Sequence, residues 1–512
     1  MLLAVVAFVA AKLPIKTTIR KIPVLLPAVI AFVICLIISQ TVLKTMPFVP
    51  GDEDEYLFQA RIFARGSLTA PAPDPAHPFW APGILVHEDR WMGHHQPGHS
   101  LFLSLGLILG SVNLIPALLT GITVLLLTLT GRALGGREAG YLTGILGMTS
   151  PMLLMTGATL VSETSSLMLS ALGFWFVIRQ PGGMRNAIVC TGIIVGILFN
   201  VRLLTGMCAL VALVCIIPLK YTKFLLPGLF AGLVFAGIHN TLVTGTPWVF
   251  PFNMYEVDAI GFKEKFGPLQ AFGHSIRNIL LLNLWLLGWP ISFLLVKPGL
   301  SIIPVRLKYS FGVFFITLIL VYAFYWHPGQ IATGPLRLHE LSFPLIVLCG
   351  LGWAKSQQRG SYLSKLVPLL IFTSVLGFLP VRMAVLHDFI QTEQAVRFSL
   401  DRIHLKNRLV VLKGRGNLFH YPRNDPWLRP YVHPLMIRAQ TRDESAYIFP
   451  HRDPLVVDAR CDSSGCRFSY YSWVKNTVAR VPGSKRRGTV TPGLKSRSSI
   501  TPRSSNKPKT ST

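Results

Sequence analysis

Residues 23–46 read PVLLPAVIAFVICLIISQTVLKTM, an apolar run with a single charge, Lys44, near its end. A helix of about 20 residues crosses the ~30 Å hydrocarbon core of a bilayer, so this run predicts a membrane-spanning helix. Comparable runs recur along the chain, separated by short loops that contain Lys and Arg. Of the 512 residues, 51% are hydrophobic and 14% are charged, which excludes a water-soluble protein of this size.

We therefore predict an all-α polytopic membrane protein with about eleven transmembrane helices. The predicted spans lie at residues 23–46, 114–130, 141–156, 166–178, 187–199, 203–219, 224–243, 278–296, 311–326, 341–353 and 366–385. Residues 100–110 are apolar but too few to cross a bilayer, so we expect them to lie along its outer surface.

The basic residues indicate how the chain is oriented. The formal net charge is +27, and many Lys and Arg residues lie in alternate short loops between the apolar runs. Because loops rich in Lys and Arg stay in the cytoplasm, we place the N-terminus inside and the C-terminus outside. An odd number of spans agrees with this orientation.

Hydropathy and composition divide the chain into four parts. They are a cytoplasmic or interfacial segment (1–22), a transmembrane domain (23–385) with an outward loop (47–98), an outward α/β appendage (386–470), and a disordered basic tail rich in Ser, Thr and Pro (471–512). Cys461 and Cys466 in the appendage are close enough in sequence for a disulfide, and we leave open whether they form one.

Four consecutive carboxylates, residues 52–55, follow the first predicted span. Like charges beside a membrane raise the pKa of at least one member, which suits it to act as a general base. The same residues also fit a helix start, with Asp52 as the N-cap, Glu55 as its capping-box partner and Gly66 as the C-terminal stop. The two interpretations are compatible, because a cap also fixes where neighbouring carboxylates point.

Glu163 lies in an outward hairpin between two predicted spans. An acid at membrane depth is a functional candidate, although a loop residue that faces water is the alternative. Two arginines carry a similar ambiguity. Arg337 could clamp a phosphate or pair with Glu340, and Arg202 could line a cavity or extend to the membrane surface.

Several histidines, among them His94, His95 and His99, follow in the outward loop. A metal site there is the minor alternative, because Pro97-Gly98 interrupts any helical ligand pair and no carboxylate–histidine motif is present. We therefore expect no cofactor, with a divalent metal as the less favoured possibility. No Walker loop, Rossmann fingerprint, nucleophile elbow or nucleic-acid module occurs in the sequence, which disfavours ATP-driven transport, soluble-type hydrolysis and nucleic-acid binding.

A series of short motifs occurs in a fixed order along the chain. They are Asp52-Glu53-x-x-Tyr56 with Ala64-x-Gly66, Gln96-Pro97-Gly98-His99, Ser150-Pro151 with Ala158 to Glu163, Asn240 to Pro247 with Tyr255, Gly288-Trp289-Pro290, and His327-Pro328-Gly329-Gln330 to Gly334-Pro335. In this order they resemble the bacterial polytopic glycosyltransferases of the type-C fold. The resemblance is to the protein-mannosyltransferase-like and aminoarabinose-transferase-like group, which is glycosyltransferase family 39-like.

The resemblance implies transfer of a sugar from a polyprenyl-phosphate-linked donor to a glycan, lipid or protein acceptor. The reaction would occur on the outer side of the inner or plasma membrane of a bacterium. Asp52, with Glu53 beside it, corresponds to the family's acidic motif, and Glu163 to its second acid, so these are the expected catalytic residues. The residues expected to bind substrate are Tyr56, His95, His99, Arg202 and Arg337.

The chain also departs from the family pattern. The usual double proline is Gln96-Pro97, a histidine replaces the lysine of some relatives, and Gly-Pro-Arg-Tyr is replaced by Gly334-Pro335-Leu336-Arg337. Two alternatives therefore remain: a polytopic transporter or lipid-carrier flippase, and a catalytically inactive family member that acts in glycan assembly. Polar residues crowd the predicted outer face rather than the middle of the membrane, which counts against a transporter.

Overall fold

The computed structural model describes most of the transmembrane domain and parts of the C-terminal region. The described residues are 23–43, 52–74, 76–255, 261–262, 266–325, 329, 332–388, 390, 409–415, 424–428, 435–438, 455–462 and 465–472. The predicted N-terminal segment 1–22 lies outside them, as does the predicted basic tail apart from residues 471 and 472.

Helices form most of the described structure. In chain order they are α1 (Leu26–Thr41), α2 (Asp52–Phe63), α3 (Pro97–Ile108), α4 (Leu114–Thr149), α5 (Pro151–Gly157), α6 (Glu163–Arg179), α7 (Met184–Phe199), α8 (Leu203–Val214), α9 (Leu219–Thr222), α10 (Leu226–Thr244), α11 (Pro251–Tyr255), α12 (Pro268–Leu287), α13 (Val296–Leu300), α14 (Val305–Ala323), α15 (Ser342–Gln358) and α16 (Tyr362–Thr373).

Several of these helices have the length and composition of membrane spans. The continuous ones are Leu114–Thr149, Leu219–Thr244, Val305–Ala323 and Tyr362–Asp388, and the segments Pro268–Leu287 and Ser292–Leu300 form a further pair bent by 74°. Shorter apolar helices, α1, α3, α7 and α8, accompany them. A mostly helical chain with such helices is an integral membrane protein.

Helix α4 contains the predicted span 114–130 and the first part of the predicted span 141–156, whose remaining residues lie in α5 after the extended backbone at Ser150. A break divides it at Gly136, whose φ of 84° and ψ of −177° are non-helical. A positive φ is accessible to glycine without steric cost, so the chain can change direction there. Helix α4 packs against α1, α6 and α15 and thereby forms the centre of the described bundle.

Glycines allow close approach between helices α7 and α10. A Cβ at Gly196 would overlap the carbonyl of Gly228, and one at Gly232 would overlap the backbone of Gly196. At the end of this contact, Asn200 donates through Nδ2 to the carbonyl of Gly232 at 2.9 Å. Small residues at helix crossings are typical of membrane bundles, in which packing rather than hydrophobicity associates the helices.

The loop predicted to face outward (47–98) contains a small sheet between α2 and α3. Its strands β1 (Ala70–Pro71), β2 (Ile84–His87) and β3 (Arg90–Gly93) are antiparallel in the order β1-β3-β2. Phe58 of α2 packs edge-on against Trp91 of β3 at 4.8 Å between ring centroids. Arg90 donates through Nη1 to the carbonyl of Val243 at 3.1 Å, which joins the sheet to the end of α10.

Four further strands lie in the region of the predicted appendage. They are β4 (Leu409–Arg415), β5 (Leu435–Arg438), β6 (Leu455–Asp462) and β7 (Gly465–Ser472), in the sheet order β5-β4-β6-β7. Strand β4 is parallel to β5 and β6, and β6 is antiparallel to β7. Cys461 and Cys466 are backbone partners in the last pair, and the disulfide between them stays a prediction.

Candidate functional site

The first turn of α2 carries the four acidic residues of the sequence motif. Their environments differ, because Asp52 is exposed whereas Glu53 and Glu55 are fully buried. Glu53 accepts the backbone N–H of Leu160 at 2.7 Å, which ties the start of α2 to the hairpin between α5 and α6. Glu53 therefore holds the hairpin in place, and Asp52 is the neighbour that can reach a substrate.

Glu55 does not form the predicted capping box. Helix α2 begins at Asp52 itself, and the carboxylate of Glu55 accepts the backbone N–H of His95 at 3.2 Å. The second carboxylate oxygen lies 2.6 Å from His95 Nδ1. A charge-assisted bond to a ring is stronger than a local cap, so the distant partner prevails. Burial raises the pKa of the Glu55 carboxyl, and the nearby His95 offsets part of that effect.

Tyr56 connects the acidic helix to Glu163. Its hydroxyl donates to Ser162 Oγ at 3.1 Å, and Ser162 directly precedes Glu163 at the start of α6. Burial raises the pKa of Tyr56, and the charges of Asp52, Glu55 and Glu163 raise it further, so the phenol stays protonated. Because Tyr56 follows Asp52 by one helical turn, the two residues lie on the same face of α2, and Tyr56 joins that face to the start of α6.

Arg202 occupies the centre of a buried polar cluster. Its Nη1 donates to Glu163 Oε1 at 2.5 Å and to Ser162 Oγ at 3.3 Å. Its Nη2 donates to the hydroxyl of Tyr322 at 2.7 Å, and its Nε lies 3.5 Å from Glu340 Oε1. Of the two interpretations left open by the sequence, the structure supports the one in which Arg202 faces the protein interior.

Glu340 is the member of this cluster that the sequence did not single out as a site residue. Its Oε1 accepts the hydroxyl of Ser166 at 2.5 Å and is 3.4 Å from Thr205 Oγ1. Its Oε2 is buried without a hydrogen-bond partner among the described residues. The sequence feature that could have identified Glu340 is its position directly before an apolar helix, where a buried acid is a functional candidate.

Arg337 does not pair with Glu340, so that alternative is wrong. The guanidinium carbon lies 4.1 Å from the ring centroid of Tyr325 and 5.5 Å from that of Tyr322. Leu338, between Arg337 and Glu340, has the non-helical angles φ −115° and ψ 16°, which separate the directions of the two side chains. Cations pack favourably on the faces of aromatic rings.

A cavity, which we call the cation cavity, adjoins Arg337. It is lined by His274, Ser275, Asn278, Ile319, Tyr322, Arg337 and Leu338. Within the described part of the chain, two side chains that line the cavity have a buried nitrogen without a hydrogen-bond partner, namely Arg337 Nε and His274 Nδ1. Arg277, on the same helix as His274 but outside the lining, has two such nitrogens, Nε and Nη2. Buried donors without partners are costly, and an acceptor-rich ligand could satisfy those that face the cavity.

His99 is enclosed rather than open to a ligand. Its Nδ1 lies 2.9 Å from Ser165 Oγ and its Nε2 lies 2.7 Å from the carbonyl of Leu160. Burial lowers the pKa of His99 to about 4, so the ring is neutral at physiological pH. Direct contact with substrate would require this network to open.

His95 packs against Tyr56 at 4.7 Å between ring centroids, and His94 lies against His95 at 3.9 Å. One ligand atom from each of Glu55, His94 and His95 can lie within 4.8 Å of the other two, so these three residues could hold a metal ion. Sequence reasoning overlooked Glu55 as a partner of these histidines, because about 40 residues separate them and the carboxylate also fitted a helix cap.

The buried cluster and the cation cavity supply different chemical groups. Arg337, Arg277 and His274 offer positive or donor groups to an anion, whereas Asp52 offers an exposed carboxylate near the start of α6. Tyr322 belongs to both regions, since it lines the cation cavity and accepts a hydrogen bond from Arg202. The cavity can therefore bind an anionic group, and the exposed carboxylate of Asp52 can take up a proton.

No protein-family model matches the chain, and no curated protein matches its sequence. The solved structures that resemble it include two of ArnT from Cupriavidus metallidurans, an aminoarabinose transferase of the type-C fold. The structure bound to undecaprenyl phosphate has a TM-score of 0.57 at 13% identity and covers 84% of this chain and 92% of ArnT. The apo structure has a TM-score of 0.55 at 14% identity with the same coverage. The chain thus has the type-C glycosyltransferase fold, as its ordered motifs indicated.

Proposed function

We propose that this protein transfers a sugar from a polyprenyl-phosphate-linked donor to an acceptor on the outer side of the bacterial inner membrane. The observation that carries the proposal is the cation cavity, with unpartnered nitrogens on Arg337 and His274, beside the cluster of Glu163, Arg202 and Glu340. The shared fold supports it, since ArnT binds undecaprenyl phosphate in one of its structures.

The donor phosphate is assigned to the cation cavity. A guanidinium presents a planar set of N–H donors that matches the oxygens of a phosphate. Arg337 is held by Tyr325 stacking and not by a carboxylate within the described residues, so its charge is available to the ligand. As the bond between sugar and phosphate breaks, negative charge grows on the phosphate, and such preorganised donors stabilise it.

Asp52 is assigned the role of general base. Its exposed carboxylate can take the proton of an acceptor hydroxyl while the hydroxyl oxygen bonds to the anomeric carbon and the polyprenyl phosphate leaves. Glu163 is less suited to that step, because Arg202 holds its carboxylate in a 2.5 Å ion pair. We assign Glu163, together with Arg202, to positioning the rim of the site.

The membrane arrangement completes the proposal. We propose about eleven spans with a cytoplasmic N-terminus and an outward C-terminus, so that loops containing Lys and Arg lie inside. The site residues then lie at the outer ends of helices, which is where the head group of a lipid-linked donor resides. The transferred group is a hexose or a pentose, and the acceptor is a component of the cell envelope.

The test is transfer by purified protein in nanodiscs that contain polyprenyl-phosphate sugars and cell-envelope acceptors. We expect Asp52→Asn to lower the rate at least about 100-fold, the scale of a general-base contribution. The matched control is Asp89→Asn, which removes an exposed outward carboxylate from the turn between β2 and β3. Equal rates for wild type and Asp52→Asn would refute the assignment of the base.

Transport is the second candidate function, favoured by one observation. The segments Pro268–Leu287 and Ser292–Leu300 meet at 74°, and broken helices form substrate sites in many transporters. Saturable flux of a sugar or lipid carrier into proteoliposomes, without formation of a glycosylated product, would favour this function. A deletion phenotype that Asp52→Asn fully complements would instead indicate a non-catalytic assembly partner.

A further inference from the structure

We infer that the neighbouring starts of helices α7 and α10 form a binding site for the head group of an anionic phospholipid. The site consists of three exposed cations that lie on two aromatic rings, and we call it the cationic cluster. Its members are Arg185, Lys220, Lys223, Tyr221 and Phe224. The cluster contains none of the residues assigned to sugar transfer, so the inference does not depend on the proposed function.

Glycines bring the starts of α7 and α10 together. A Cβ at Gly192 would overlap the carbonyl of Leu225, and one at Gly196 would overlap the carbonyl of Gly228. Because these contacts advance in the same direction along both helices, the two helices run parallel and begin at the same end of the bundle. This packing places Arg185, in the first turn of α7, beside the residues that precede α10.

Two aromatic rings hold the cations close to one another. The guanidinium carbon of Arg185 lies 4.9 Å from the ring centroid of Phe224, and Lys223 Nζ lies 5.5 Å from the same centroid. Lys220 Nζ lies 5.1 Å from the centroid of Tyr221, whose ring is 6.2 Å from that of Phe224. Cations are attracted to the faces of aromatic rings, so the rings favour this arrangement of three charges. Arg185 and Lys223 share one ring, so a single phosphate group is within reach of both side chains.

Nearby acids do not neutralise these charges. The sequence contains no Asp or Glu from residue 164 to residue 255. In the part of the chain that the structure describes, none of the three cations forms an ion pair with a carboxylate. Like charges on neighbouring rings repel one another, and a bound anion relieves that repulsion. Arg185 offers a planar set of N–H donors to phosphate oxygens, whereas the two lysines act as point charges.

The surroundings of the cationic cluster match a lipid rather than a soluble anion. Leu219 and Leu226, which flank the two lysines along the chain, are 86% and 62% exposed. The segment Leu219–Thr244 has the length and composition of a membrane span and begins at the cluster, so lipid head groups lie at the level of the cations. Cations beside exposed apolar side chains at a membrane surface attract anionic lipids, whose acyl chains cover the apolar part.

The experiment counts lipids bound to the full-length protein by native mass spectrometry. The protein is purified in detergent and titrated with phosphatidylglycerol or with phosphatidylcholine of the same chain length. We expect one tightly bound phosphatidylglycerol per chain, and phosphatidylcholine at least about 10-fold weaker. The double variant Arg185→Gln/Lys223→Gln should bind phosphatidylglycerol roughly 30-fold more weakly, since each Lys or Arg near an anionic lipid surface contributes about fivefold. The matched control Lys297→Gln/Arg306→Gln removes two exposed cations from another loop and should bind like wild type.

The inference is overturned if wild type binds both lipids equally, or if the control variant loses as much affinity as the double variant. Glycerol phosphate, which lacks acyl chains, should not displace the lipid, and displacement would overturn the assignment to a lipid. Should the double variant not fold, a photoactivatable phosphatidylglycerol applied to wild type decides the question. Crosslinks within residues 184–226 would support the site, and crosslinks confined to other segments would overturn it. Because no sugar donor is present, either outcome leaves the test of sugar transfer unaffected.

Discussion

Replacement of Arg202 by methionine tests whether the buried cluster organises the site. Methionine keeps much of the side-chain volume but removes the only positive charge that contacts Glu163 and Glu340 among the described residues. The side chains of these three residues are 12%, 9% and 0% exposed, respectively, so solvent screens their interaction weakly. Both carboxylates would then lack a compensating partner.

Removing one partner of a buried ion pair costs about 3–5 kcal/mol, because the other charge is left without compensation. The 2.5 Å contact with Glu163 accounts for most of this cost, and the 3.5 Å contact with Glu340 adds less. At 1.4 kcal/mol per tenfold change, the equilibrium constant for unfolding should rise by roughly 10²- to 4 × 10³-fold. Lost hydrogen bonds to Ser162 and Tyr322 act in the same direction.

The assay is reversible unfolding in mixed detergent micelles, followed by tryptophan fluorescence at several pH values. The loss should shrink as the pH falls, because protonation of the two carboxyl groups relieves their repulsion. Arg202→Met with Glu163→Gln should recover part of the stability lost by Arg202→Met alone. The reasoning is refuted if Arg202→Met unfolds like wild type, or if the double variant is no more stable than the single one.

Three other changes test separate parts of the site. Arg337→Ala should weaken binding of polyprenyl phosphate by roughly 10- to 100-fold, the value of a hydrogen bond to a charged group, measured by calorimetry in nanodiscs with Arg179→Ala as control. Tyr56→Phe should cost about 1 kcal/mol of stability through loss of its bond to Ser162, and an unchanged unfolding midpoint would contradict that contact. The pKa of His99 is about 4 in the folded state and about 6.5 in the unfolded state. Its contribution to the free energy of unfolding is therefore complete above pH 6.5 and declines as the pH falls towards 4. The free energy of unfolding should therefore drop by up to roughly 3 kcal/mol over that range, and His99→Gln should flatten the profile.

The fold could be predicted from the sequence because each membrane helix requires a long run of apolar residues. The apolar runs that contain α4, α14 and the segment Tyr362–Asp388 were all predicted as spans. The break in α4 was less accessible, since Gly136 lies among other small residues in a loop with basic charge. The ordered motifs also indicated the type-C fold, although at 13% identity to ArnT no overall sequence similarity marks it.

The site was predicted in part. Glu163 and Arg202 were both identified as candidates, but their pairing was not, because it depends on how α6 and α8 meet in space. The sequence left open a pairing of Arg337 with Glu340, which are near in sequence, but the non-helical backbone at Leu338 separates the two side chains. Local spacing predicts contacts only inside a regular helix.

The glycines between α7 and α10 have a consequence for how sequence variation in this protein is read. Asn200 and Arg202 follow the end of α7 directly, and Gly98 donates its N–H to the Asn200 carbonyl at 2.8 Å. One extra methyl group at Gly196 or Gly228 would wedge the helices apart and shift the arginine, without altering charge or hydropathy. A substitution that preserves polarity can thus inactivate the protein by separating two membrane helices. Whether a residue is tolerated at these positions must therefore be judged by its side-chain volume.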